Sequence, residues 1–214
     1  MIKATLRQNM WFYGPYLILV LISSVFLLSM EKGVFVSMLQ KMGTPLLDLF
    51  FVFYTHVGDG LFGTAVVLIF LFINKKHALS LGLGLILTGL ISQLLKHTLG
   101  VEAGRPASFF EADTLRQIDY LTRHMHHSMP SGHSSSAFCM FSMLALFSVK
   151  KTYGFMFFSL AALVGLSRIY LAQHFLEDVV AGSFIGCCIG LLAYFLGNNW
   201  FRSPAMQKPL ISLG

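Results

Sequence analysis

Apolar runs free of acidic and basic residues recur along the chain at Trp11 to Met30, Gly60 to Asn74, Ala78 to Leu95, Ser134 to Val149, Thr152 to Ser167 and Val179 to Phe201, with polar segments between them. The pattern predicts an all-α bundle of about six membrane-spanning helices. Several runs are shorter than the roughly 20 residues a spanning helix needs, and each gains length from a polar turn or a snorkelling side chain at its end. The second run extends back through Asp59 and His56, because Phe50 to Tyr54 is also apolar. Ionisable groups at that depth are expected to face the bundle interior. The first run lacks a small-residue cleavage site and reads as a helix, not as a removed signal peptide. No internal repeat and no second domain are evident, so residues 1–214 read as one membrane-embedded unit.

Composition agrees with this pattern and narrows it. A chain with 56% hydrophobic and 11% charged residues and a mean hydropathy of +0.72 is not a soluble domain. Cys139, Cys187 and Cys188 all fall inside apolar runs, which signals neither a disulfide framework nor a metal site. The formal charge of +6 is dispersed between apolar runs, so lipid headgroups, and not nucleic acid, are the expected partner. Lys3, Arg7, Lys75, Lys76, Lys150, Lys151, Arg202 and Lys208 fall on one side of a six-span arrangement, which makes that side cytoplasmic. Lys96, Arg105, His133, Arg168, His174 and Asp178 then share the opposite, non-cytoplasmic face.

Those six side chains carry the candidate chemistry. His174 and Asp178 are four residues apart and on a helix would share a face. A carboxylate on one imidazole nitrogen fixes the tautomer and leaves the other nitrogen free as base or nucleophile. Arg168 brings a planar guanidinium suited to phosphate, and Lys96 and Arg105 add two more cations. Cations gathered inside a bundle with few acidic partners call for a bound anion. In "MPSGHSSSAF", residues 129–138, Pro130 suits a first helical turn and Gly132 allows close backbone approach. The free amides of that turn attract an anion, beside which His133 is placed to protonate a leaving oxygen.

At these residues the chain resembles the type 2 phosphatidic acid phosphatase (PAP2) family, a superfamily that includes vanadium haloperoxidases and soluble bacterial acid phosphatases. The PSGH motif is Pro130 to His133, and SRx5Hx3D is Ser167, Arg168, His174 and Asp178 with both gaps intact. The first motif, usually Kx6RP, departs: eight residues, HTLGVEAG, separate Lys96 from Arg105-Pro106, and the extra residues are expected to loop out. The resemblance covers roughly residues 50 to 200. It implies a metal-independent, cofactor-free phosphohistidine mechanism, with His174 as nucleophile, Asp178 orienting it and His133 as acid. Lys96, Arg105, Arg168 and the amides around Ser131 and Gly132 would hold the phosphoryl oxygens.

The function so implied is a lipid phosphatase in a bacterial cytoplasmic membrane, with its site facing the periplasm or cell exterior. Undecaprenyl diphosphate, phosphatidylglycerol phosphate, phosphatidic acid and lipid A phosphates are the candidate substrates. A phosphotransferase using the same phosphohistidine and a non-catalytic anion carrier are the alternatives. The paired His and Asp, and the absence of a repeat, speak against the carrier. The "RHMHH" run of His124, His126 and His127 lacks metal-ligand spacing and reads as a polar loop. His56 and Asp59 read as satisfying each other, and Arg116 and Arg123 as solvated loop charges.

Overall fold

The computed structural model describes residues 1–98, 100, 103–111, 113–119 and 121–210, and among them every regular element is helical. In chain order these are α1 (Ile2–Gln8), α2 (Met10–Ser29), α3 (Val34–Lys41), α4 (Pro45–Tyr54), α5 (Gly60–Leu71), α6 (Lys75–Thr98), α7 (Pro106–Phe109), α8 (Gly132–Phe147), α9 (Tyr153–Tyr170) and α10 (Leu176–Trp200), with 3-10 turns at Thr55–Gly58 and Pro204–Gln207. The helices α2, α6, α9 and α10 are each long and apolar enough to cross a membrane, and α4 with α5 makes a fifth span if that bent pair counts as one. Length and composition therefore support four or five spans where the sequence pattern predicts about six.

The shortfall lies in α8, whose 16 residues give a helix about 24 Å long against a hydrocarbon core of about 30 Å. Eleven of the sixteen are buried, so α8 is the central post of the bundle and not a lipid-facing wall. It packs against α6, α9 and α10. Its own Phe138, Met140 and Met143 share a core with Leu81, Val164 and Ala193 of those helices. By contrast α2 exposes Leu17, Ile18, Leu21, Ile22, Val25 and Leu28, as a helix does when its solvent is lipid.

The most extensive helix packing is between α8 and α10, along a column of glycines. Gly182, Gly186 and Gly190 recur every fourth residue, the small-xxx-small spacing that lets backbones approach. A Cβ at Gly182 would lie 2.5 Å from the Ser131 carbonyl oxygen, and one at Gly190 would lie 2.5 Å from Ser142 Oγ. At Gly186 the obstacle is the Ser135 carbonyl.

The second predicted span is broken. In place of a continuous helix through His56 and Asp59, α4 runs into the 3-10 turn and α5 departs at 55°. Asp59 is extended there and caps α5, accepting the Leu61 amide at 2.7 Å. Helix α4 has its own start, with Thr44 Oγ1 accepting the Leu47 amide and Pro45 opening the first turn. The helix α3, which no apolar run announced, closes over α9: Gln40 donates to the Tyr170 carbonyl and accepts the Arg116 amide at 2.9 Å.

One end of the bundle gathers the C-terminal ends of α6 and α9 with the N-terminal ends of α8 and α10. The α5–α6 turn and the C-terminal segment meet at the other end, where the Lys75 amide donates to the Lys208 carbonyl at 3.3 Å and the Leu210 amide to the Leu71 carbonyl at 2.8 Å.

Candidate active site

Each polar residue at the first end is placed by backbone geometry before side-chain chemistry enters. Helix α9 stops at Tyr170, and Ala172 turns the chain with φ +51°. The Arg168 carbonyl then accepts both the Gln173 amide at 2.9 Å and the His174 amide at 3.1 Å. The five residues between Arg168 and His174 are thus one capped helix end. His174 lies in this turn and not on a helix, contrary to the shared-helix reading of the His174–Asp178 spacing. Asp178, at the third position of α10, reaches back to accept the Phe175 amide at 2.9 Å and so helps to start that helix.

The two side chains meet nonetheless. His174 Nδ1 lies 3.4 Å from Asp178 Oδ2, and they are 1% and 2% exposed. A third member was not marked by any spacing: Ser128 donates to the same Oδ2 at 2.5 Å and lies 3.5 Å from His174 Nδ1. With Nδ1 engaged by the carboxylate, Nε2 is left for chemistry. Burial first, and then the Arg168, Arg105 and Lys96 charges, hold the His174 imidazole well below its ordinary pKa of 6.5. The ring is neutral at neutral pH, the form a nucleophile needs.

The helix α8 brings its N-terminus to the same place. Ser131 is its cap, its hydroxyl accepting from the Ser134 amide at 3.4 Å and from the Ser134 hydroxyl at 2.9 Å. The Ser131 amide donates to the Asp178 carbonyl at 3.0 Å. The Ser131 amide is therefore not free for an anion, whereas its hydroxyl, the acceptor in both of those bonds, keeps its own O–H to donate; the amides of Gly132 and His133 open the helix without an acceptor among the described residues. That amide bond instead ties α8 to α10. The His133 side chain is half-buried and makes no hydrogen bond among the described residues.

Three cations complete the pocket. Lys96, in the last turn of α6, places its Nζ 3.8 Å from where a Cβ at Gly132 would stand. The longer HTLGVEAG spacing does not carry it away; Leu99, Val101 and Glu102 of that segment lie outside the described residues. Arg105 is 8% exposed and held by carbonyls: Nε donates to His126 at 2.9 Å, Nη1 to Gln173 at 3.2 Å and Nη2 to His127 at 3.5 Å. The RHMHH segment therefore contributes backbone oxygens here, and among the described residues no cluster of metal-ligating side chains forms. Arg168 is 7% exposed and donates from Nη1 to Thr55 Oγ1 at 2.7 Å.

The remaining polar residues have other places. His56 and Asp59 lie 3.4 Å apart. Arg116 is not a solvated charge: it pairs with Asp48 at 2.6 Å and donates to the Gly43 carbonyl at 2.7 Å. Tyr170 donates to the other Asp48 oxygen at 2.5 Å, and Arg123 donates to the Arg116 carbonyl. Gln173, unmarked in the sequence, joins Arg105 to the Thr122 carbonyl, to which its Nε2 donates at 2.9 Å. A neutral histidine with a carboxylate behind it, a second histidine at a helix N-terminus, two buried arginines and a half-buried lysine form a site suited to phosphoryl transfer.

Comparison with known proteins gives the same picture. A family model described as the PAP2 superfamily matches residues 77–202. A PA-phosphatase related-family protein of Dictyostelium discoideum is 33% identical over 141 residues, 59% of this chain and 52% of that protein, so this chain spans about half the relative's length. A lipid A 4'-phosphatase of Porphyromonas gingivalis is 29% identical over 201 residues, 86% of this chain and 81% of that one. The crystal structure of a transmembrane PAP2-type phosphatidylglycerolphosphate phosphatase from Bacillus subtilis shares the fold, with a TM-score of 0.64 at 22% identity over 89% of this chain and 98% of that one.

Proposed function

We propose that this chain, which belongs to the PAP2 superfamily, is an integral membrane phosphatase, a single unit over residues 1–214, that removes phosphate from a lipid through a phosphohistidine. The observation that carries the reading is the convergence of His174, backed by Asp178 at 3.4 Å, with Lys96, Arg105 and Arg168 at the N-terminus of α8. Relatives named as lipid A phosphatases and as phosphatidylglycerophosphatase support a lipid phosphate as substrate.

In this mechanism His174 Nε2 attacks phosphorus as the bond to the leaving oxygen breaks, and His133 gives that oxygen its proton. Lys96, Arg105, Arg168 and the Gly132 and His133 amides hold the three equatorial oxygens while charge redistributes. Asp178 stabilises the imidazolium character that His174 gains. Water, deprotonated by His133, then attacks the phosphohistidine; inorganic phosphate leaves and Nε2 recovers its lone pair. The lipid tail stays among the bundle's exposed apolar side chains while its headgroup reaches the polar end.

The test is inorganic phosphate release from a panel of lipid mono- and diphosphates in detergent with EDTA present, comparing wild type, His174→Ala and His133→Ala. Release by wild type and loss in both variants is expected. Activity that survives His174→Ala refutes the mechanism, and phosphate that appears on an added acceptor lipid instead of in solution makes the chain a transferase. We place the site on the non-cytoplasmic face, because the opposite end carries Lys75, Lys76, Lys150, Lys151 and Arg202. Labelling of a Ser108→Cys variant in intact cells by an impermeant thiol reagent checks that sidedness; labelling only after membrane disruption reverses it.

A further inference from the structure

Arg168 is a buried cation whose guanidinium makes one hydrogen bond among the described residues, from Nη1 to Thr55 Oγ1 at 2.7 Å. Its Nε is buried without a partner. A guanidinium offers five N–H donors in a rigid plane, and an Nε–Nη2 edge matches two oxygens of one phosphoryl group. Thr55 occupies one corner of the fork and leaves that edge unspent.

Thr55 reaches Arg168 because the second span is broken. It sits 6% exposed in the 3-10 turn between α4 and α5. The same turn is pressed onto the site, for a Cβ at Gly58 would lie 2.6 Å from Val164 Cγ1 on α9 and 2.8 Å from the His133 carbonyl oxygen on α8. One turn of backbone thus touches both the helix that carries the phosphate-binding arginine and the residue assigned as acid.

We propose that Thr55 is a positioning residue for the reaction: its hydroxyl fixes the guanidinium plane of Arg168 so that the Nε–Nη2 edge meets the phosphoryl group on its way to His174. The inference rests on the reading above that Arg168 binds substrate phosphate. An arginine left without this anchor keeps its charge but swings about its long side chain, and the ordering of two N–H groups against two oxygens is lost.

The experiment uses the full chain in detergent and two readouts, kcat/KM with a lipid phosphate and the affinity for orthovanadate measured by calorimetry. Thr55→Val keeps the side-chain shape and removes the acceptor. It is expected to lower both by about tenfold or more, the scale of a lost hydrogen bond to a charged group. Thr55→Ser restores both, and in an Arg168→Ala background Thr55→Val weakens orthovanadate no further. Should valine prevent folding, Thr55→Ala carries the same comparison. A Thr55→Val protein with rate and orthovanadate affinity within about twofold of wild type overturns the proposal, as does an undiminished effect in the Arg168→Ala background. If Arg168→Ala itself binds orthovanadate as wild type does, the phosphate-binding reading falls and takes the proposal with it. If it does not, only the role of Thr55 is in question.

Discussion

Replacing Gly182 by alanine tests whether the site depends on the spacing between α8 and α10. The new Cβ would stand 2.5 Å from the Ser131 carbonyl oxygen, 3.1 Å from Ser135 Oγ and 3.3 Å from Ser134 Cβ. Rotation of the serine hydroxyl relieves the second contact, but the first is to backbone. Moving from 2.5 Å to the 3.4 Å at which ordinary contact begins requires the helices to part by about 0.9 Å at this level. Gly182 is one turn beyond Asp178, whose carbonyl accepts the Ser131 amide at 3.0 Å, so the same displacement stretches the bond joining the two motifs. Overpacking of this kind costs about 1–3 kcal/mol of stability. Its effect on rate is larger than that of a generic core defect, because His133 sits on the displaced helix while His174 stays with Asp178. A shift near 1 Å between the proposed acid and the proposed nucleophile costs about 100-fold.

The assay is phosphate release by wild type, Gly182→Ala and Gly89→Ala, matched for monodispersity in detergent. Gly89 is a fair control, since a Cβ there meets nothing within 4 Å. The expected result is a kcat about 100-fold lower for Gly182→Ala and an unchanged kcat for Gly89→Ala. A folded Gly182→Ala enzyme with wild-type kcat would refute the claim that this helix contact sets the catalytic geometry.

Three further outcomes follow from the groups around His174. Ser128→Ala removes a donor to Asp178 Oδ2 and leaves the Phe175 amide in place; kcat should fall about 10- to 100-fold, the value of a hydrogen bond to a charged group, with little change in KM, and steady-state kinetics with an unchanged kcat would remove Ser128 from the relay. The acid limb of kcat/KM should lie below pH 6.5, because burial and the Arg168, Arg105 and Lys96 charges lower the His174 pKa and keep the reactive neutral ring to lower pH. Arg105→Gln should move that limb upward, and a wild-type limb at or above 6.5 would contradict the assignment. Stability carries the same sign: the unfolded chain takes up a proton that folded His174 refuses, so stability is lost as pH falls below 6.5.

The sequence made α6, α9 and α10 legible because each is a long apolar run, and it made the charged site residues legible because their types and spacings are rare inside such runs. The helix α3 escaped, and of α4 only Phe50 to Tyr54 was legible, as an extension of the second span, since α3 is stabilised by Gln40 reaching α9 and the start of α4 by the Thr44 cap, neither of which shows as a hydrophobic period. The break at Asp59 was hidden in the same way; an aspartate in an apolar stretch reads equally as an interior residue or as a cap. Thr55, Ser128 and Gln173 are small or neutral polar residues, common enough that only their partners distinguish them. His174 and Asp178 are neighbours without sharing a helix, because a capped turn followed by a helix start brings positions four apart together much as a helix does.

Arg105 is fixed by carbonyls of His126, His127 and Gln173, all distant along the chain from the lysine it accompanies. Its location is therefore indifferent to how many residues intervene after Lys96. A change of length in that stretch can leave Arg105 where it is, while a change in the distant carbonyls cannot. A search pattern that counts residues from lysine to arginine would discard this chain. One that asks for an arginine-proline pair ahead of PSGH, at any interval, would keep it.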